Sequence, residues 1–106
     1  MAISKQFSFA CAPGILYAAT YEVVTSHTET APYAPQISWD HTRLLATASI
    51  SAFVVELFCL ASSFGSALAV SVDGSGPIWA LTPNRAIETK VERIASAIRQ
   101  RLGSNA

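Results

Sequence analysis

Asp73-Gly74-Ser75-Gly76-Pro77 is the segment of this 106-residue chain whose residue types best suit an anion. Closely spaced glycines let successive backbone amides converge on phosphate oxygens. Asp73, Gly74, Ser75 and Gly76 are therefore the candidate ligand-binding residues. The same four residues also make a hairpin connection, because glycine supplies the positive φ such turns need. Neither nucleotide fingerprint accompanies them: the chain has no Gly-Lys-Ser/Thr and no G-x-G-x-x-G. Among the carboxylates, Asp73 sits beside the glycines and Glu56 lies inside an apolar run. Glu22, Glu29 and Asp40 are the others of interest. Acid–base work by a carboxylate pair needs two of them to converge in space. If Glu56 is buried, desolvation raises its pKa; otherwise it faces solvent or pairs with an arginine.

The remaining reactive side chains form no constellation. Cys11 and Cys59 show no CxxC or Cys/His spacing, so no zinc site is expected. They read as two small buried hydrophobes, with a disulfide, a redox pair or a nucleophile as the alternatives. His27 and His41 are isolated, and each suits a loop or a helix start. Ser62, Ser63 and Ser66 offer hydroxyls, but no histidine follows in a hydrolase order. Tyr17, Tyr21, Trp39 and Trp79 are read as core or interface aromatics, with ligand stacking as the alternative. No catalytic residue, metal or cofactor is expected.

Composition narrows the class. A chain of this length makes one domain, here residues 1–106. Half of it is hydrophobic, 13% is charged, and seven basic residues balance seven acidic ones. Binding that neutralises many phosphates normally shows a basic excess, so nucleic acid is not an expected partner. Low charge with high apolar content favours self-association. After Lys5 the apolar run 7–12 is broken by Pro13-Gly14, unlike a secretory signal. A cytoplasmic protein with reduced thiols is the expectation.

These residues need elements to hold them. Residues 6–11 alternate, and residues 15–25 are rich in Tyr, Val and Thr, so the two predict a hairpin about Pro13-Gly14. Residues 26–36, with Pro32 and Pro35, predict a loop. Residues 42–62 hold no glycine or proline and predict a helix capped by Ser38 or Asp40. Leu45, Ala48, Ala52, Val55 and Cys59 form its stripe, widened by Phe53, Leu57 and Phe58. Residues 44–62 are also long enough for a transmembrane span, which Glu56 and the lack of basic flanks oppose. A core helix or a subunit interface is the favoured reading, with Gly65 as its left-handed cap.

Residues 67–72 and 78–81 predict a second hairpin around the glycine turn. Thr82-Pro83 then opens a helix. Ile87, Val91, Ile94, Ile98 and Leu102 form its buried stripe, and Gly103 stops it. The order is ββ-α-ββ-α. The fold class is α+β: a two-layer sandwich of an antiparallel sheet with two helices.

Two segments resemble motifs of the GHMP family of small-molecule kinases. Residues 12–24, beginning Ala12-Pro13-Gly14, are similar to the family's first motif. Residues 74–81, beginning Gly74-Ser75-Gly76, are similar to its last, glycine-rich motif, and the two come in the family's order. Ile15 stands where the family often has a basic residue, and Ala61-Ser62-Ser63 is the nearest match to its central Ser-Ser loop. The resemblance implies a small-molecule or nucleotide-phosphate binding domain like a fragment of such a kinase, and does not imply a working kinase. In topology alone, a helix, an Asp-Gly hairpin and a second helix also resemble roadblock- and longin-type modules, which act by dimerising and binding proteins.

The leading expectation is a non-catalytic module acting through protein association, as a homodimer or with another protein. Its interface residues are Phe53, Leu57 and Phe58. The alternatives are phosphate binding at Asp73–Gly76 and a membrane-associated subunit through residues 42–62.

Overall fold

The computed structural model describes residues 2–50, 53–74 and 84–103. In chain order the elements are β1 (Ala2–Phe9), α1 (Pro13–Ser26), a 3-10 helix (Ala31–Gln36), β2 (Ile37–Asp40), β3 (Leu45–Ile50), β4 (Phe53–Ser62), β5 (Gly65–Gly74) and α2 (Asn84–Leu102). The fold is α+β. One antiparallel five-stranded sheet, ordered β1-β5-β4-β3-β2, carries both helices on one face.

The second half of the expected first hairpin is α1. Pro13 takes an opening position of this helix, where its missing N–H costs nothing. Leu16, Tyr17, Ala19, Thr20, Val23 and Val24 are the buried residues, which is a helical period. The Tyr, Val and Thr content that argues for a strand is overridden by burial against the sheet. β1 pairs with β5 along its whole length instead, from Ala2↔Asp73 to Phe9↔Ser66.

The expected helix over 42–62 is also overturned. It is the hairpin β3–β4, paired from Leu45↔Phe58 to Ile50↔Phe53. The membrane-span reading of this segment goes with it. Among the described residues no helix is long and apolar enough to cross a membrane. Asp40 does collect free amides, but those of a turn: its Oδ1 accepts from Thr42 and Arg43 at 3.0 and 3.1 Å. Gly65 does take a positive φ, +130°, but as the first residue of β5 after the Ser63-Phe64 turn.

β5 is the strand expected over 67–72, extended at both ends. Its two edges are filled by β1 and β4. The expected partner strand 78–81 and the Thr82-Pro83 helix start lie outside the described residues, and so does Trp79. Helix α2 matches its predicted stripe: Ile98 is fully buried, Ile87, Val91, Ile94 and Leu102 pack against the core, and Gly103 ends it at φ +84°.

Four side chains of α2 tie it in place. Lys5 on the edge strand pairs with Glu92 at 2.7 Å. Arg101 pairs with Glu22 on α1, and Arg93 pairs with Glu29 just beyond it. Arg99 lies over the Phe9 ring and donates to the Ser8 carbonyl at 3.1 Å.

Candidate functional site

The inward residues of the sheet line up in rows. One row crosses all five strands as Ile37, Ala48, Val55, Val72 and Ile3. The next runs Trp39, Ala46, Leu57, Val70 and Lys5. Strand β3 contributes only alanine to these rows. Its side chains stop short of α2 where leucine or phenylalanine would fill the layer. The result is a cavity of about 460 Å³ between the sheet and α2.

Val55, Leu57, Val70 and Val72 form the sheet side of this cavity. Ala86, Ile87, Val91 and Ile94 form the α2 side, and Val24 closes it from α1. Polar side chains are few. Glu29, Thr30 and Tyr33 come from the segment after α1, Thr47 from β3 and Lys90 from α2. The Thr30 hydroxyl is already used, donating to the Val24 carbonyl at 2.6 Å. Glu29 stands in the wall, touching both the cavity and a shallow surface groove beside Arg93. Its Oε1 accepts from Arg93 Nη1 at 2.7 Å, while its Oε2 is buried and receives no donor.

Beside the cavity, aromatic rings join α1 to β2. Tyr17 meets Trp39 edge-on, with ring centroids 5.8 Å apart, and Tyr21 meets the same indole at 4.8 Å. The Tyr17 hydroxyl shares a hydrogen bond with His41 Nδ1 at 2.8 Å. Burial, and then the charge of Asp40, push the Tyr17 phenol above its ordinary pKa, so it stays protonated. Of these rings only Tyr17 is buried; Trp39 is half-buried and Tyr21 is 44% exposed.

The expected ligand residues are placed differently. Gly74 is the last residue of β5, paired with Phe53, and the Asp73 carboxylate accepts from the Gly74 N–H at 2.8 Å. Alternation turns Asp73 to the outer face, away from the cavity that Val72 lines. Ser75 and Gly76 lie outside the described residues.

The three expected interface residues part company as well. On β4, Phe53 and Leu57 face inward and line the cavity, while Phe58 faces out and is 39% exposed. Glu56 shares that exposed outer face. Both cysteines are free. Burial pushes the Cys59 thiol up to about 11, and the Cys11 sulfur lies 3.8 Å from the Ser66 hydroxyl. Among the described residues no group of three or more His, Cys, Asp or Glu could hold a metal ion.

Sequence reasoning missed the cavity because it placed Ala46 and Ala48 on a helix. Read with period two, the run Leu45-Ala46-Thr47-Ala48 marks a strand with small residues on one face, which is the available signal.

No family model matches the chain, and no curated protein matches it. Solved structures do share its fold. TTHA0849 from Thermus thermophilus aligns over 100% of both chains with a TM-score of 0.63 and 10% identity. Ara h 8.0201 aligns over 92% of this chain and 94% of its own, with a TM-score of 0.56 and 16% identity. At such identities the likeness is one of fold.

Proposed function

We propose that this protein binds a small, mostly apolar molecule in the cavity between its sheet and α2. The observation that carries this reading is the cavity itself: about 460 Å³, walled mostly by aliphatic side chains, with a few polar groups. Small-molecule sites have this size and this make-up. A solid core would place large residues at the inward positions of β3, and the chain places Ala46 and Ala48 there.

Titration with the neutral fluorophore Nile red tests the reading. Wild-type protein should give a saturable, blue-shifted emission. Ala48→Phe, which puts a ring into the cavity, should weaken it at least tenfold while leaving the circular dichroism unchanged. Equal binding by wild type and variant, or no saturable binding by folded wild type, would refute the reading. Calorimetric titration with ATP and magnesium is the matching test for the phosphate-binding reading implied by the GHMP resemblance.

A second reading, self-association, is favoured by the outer face of β4. Val54 and Phe58 are 44% and 39% exposed there. Glu56 stands between them on the same face, so the surface offered to two-fold pairing is two apolar side chains flanking a carboxylate. Sedimentation of wild type and of Phe58→Glu at micromolar concentration decides it, and a monodisperse wild-type monomer would end it.

A further inference from the structure

Glu29 Oε2 is the one buried side-chain nitrogen or oxygen without a hydrogen-bond partner among the described residues. Native proteins leave few such atoms, because a buried acceptor without a donor keeps its full desolvation cost. Its carboxylate is not loose. Arg93 on α2 holds Oε1 at 2.7 Å, and the Glu29 amide is fixed 3.2 Å from His27 Nδ1. The residue lines the cavity, whose walls are mostly aliphatic, with Thr30, Tyr33, Thr47 and Lys90 the other polar side chains.

We infer that Glu29 is the specificity residue of the cavity, and that the molecule bound there carries an N–H or O–H donor directed at Glu29 Oε2. This rests on the cavity reading above. Arg93 neutralises the carboxylate, so the ligand need carry no positive charge. It is an apolar body with a single donor, such as an aryl N–H or a phenol. As the structure stands Oε2 is covered. Contact with the ligand takes a turn of the Glu29 carboxyl that carries Oε2 to the cavity while Oε1 keeps Arg93, and the proposal includes that turn. A hydrogen bond to an ionised carboxylate inside an apolar site is among the stronger kinds, and it favours a donor-bearing ligand over an isostere without one.

The test uses two probes of nearly equal size and apolarity: 2-phenylindole, which has one N–H donor, and 2-phenylbenzofuran, which has none. Both are titrated by fluorescence into the full chain. Wild type should bind 2-phenylindole about tenfold tighter or more. Glu29→Gln should abolish that preference. Arg93 can bond only the amide oxygen, so the amide NH2 takes the place of Oε2 and meets the indole N–H donor to donor.

The wild-type ratio stands by itself should the variant fail to fold. Equal binding of both probes by wild type overturns the inference while leaving the cavity reading intact. So does a preference that survives Glu29→Gln. Failure of either probe, and of Nile red, to bind wild type overturns both readings together.

Discussion

The Tyr17 hydroxyl and His41 Nδ1 lie 2.8 Å apart, so one side-chain hydrogen bond ties α1 to the turn between β2 and β3. Tyr17 is buried and His41 is exposed. The ring of Tyr17 also packs edge-on against Trp39 and His41. Tyr17→Phe keeps the ring and removes the bond. It should cost about 1 kcal/mol, the usual net worth of one such bond. Urea denaturation measures it. The His41→Ala background is the control, since there the Tyr17→Phe change should cost much less.

Helix α2 divides its stripe between two tasks. Ile98 is fully buried in the core, whereas Ile94, one turn earlier, is partly exposed and lines the cavity. Ile98→Ala should destabilise by about 3 kcal/mol, within the range for emptying a packed site. Ile94→Ala should cost clearly less, because part of its surface already meets open space. Equal losses in parallel denaturation curves would mean that the cavity is filled by packing in solution.

Cys59 should be chemically silent in the folded state. The thiolate is the reactive form, and burial raises the Cys59 pKa to about 11. Iodoacetamide at pH 8 should therefore label the half-buried Cys11 and spare Cys59 until denaturant is added, as peptide mass spectrometry would report. The same shift has a consequence for stability. The folded-state pKa lies above the ordinary 9.0, so the stabilising preference for the neutral thiol is intact below about 9. It is lost as pH rises from there through about 11. A Cys59→Ala variant should show a flatter stability profile over that interval.

These positions also mark what the sequence made legible. The stripe from Ile87 to Leu102 has a single period, and it identifies α2. Alternation and the β-branched content around Val70 identify β5. Residues 13–26 and 45–62 are ambiguous for a physical reason. Leu16, Tyr17, Ala19, Thr20, Val23 and Val24 have helical spacing, but Tyr17, Thr20, Val23 and Val24 are types that favour strands. Phe53, Val55, Leu57 and Cys59 alternate with Val54, Glu56, Phe58 and Leu60, but the same run also satisfies a broad helical stripe. No Gly, Asn, Asp or Pro stands between Ile50 and Phe53 to mark the reversal. The Glu29–Arg93 pair joins residues 64 positions apart, and no local pattern signals it.

Of Gly14, Gly65 and Gly103, Gly65 is the one where backbone geometry should tolerate substitution least. Its φ is +130°, a region that side chains rarely adopt. A Cβ there would lie 2.9 Å from the carbonyl oxygens of both Phe9 and Cys11. Those atoms belong to the end of β1 and the link into α1, and neither is the end of a flexible side chain. Gly65→Ala therefore has to move backbone on the strand that pairs with β5, and should cost more than about 2 kcal/mol. Gly103 is the internal comparison. Its φ is +84°, yet a methyl group on its Cα would meet nothing within 4 Å, so Gly103→Ala carries only the conformational strain, about 1 kcal/mol. Denaturation midpoints of the two variants give the comparison. Equal losses would show that the β1 end yields freely, and that Phe9 and Cys11 do not fix the β4–β5 turn.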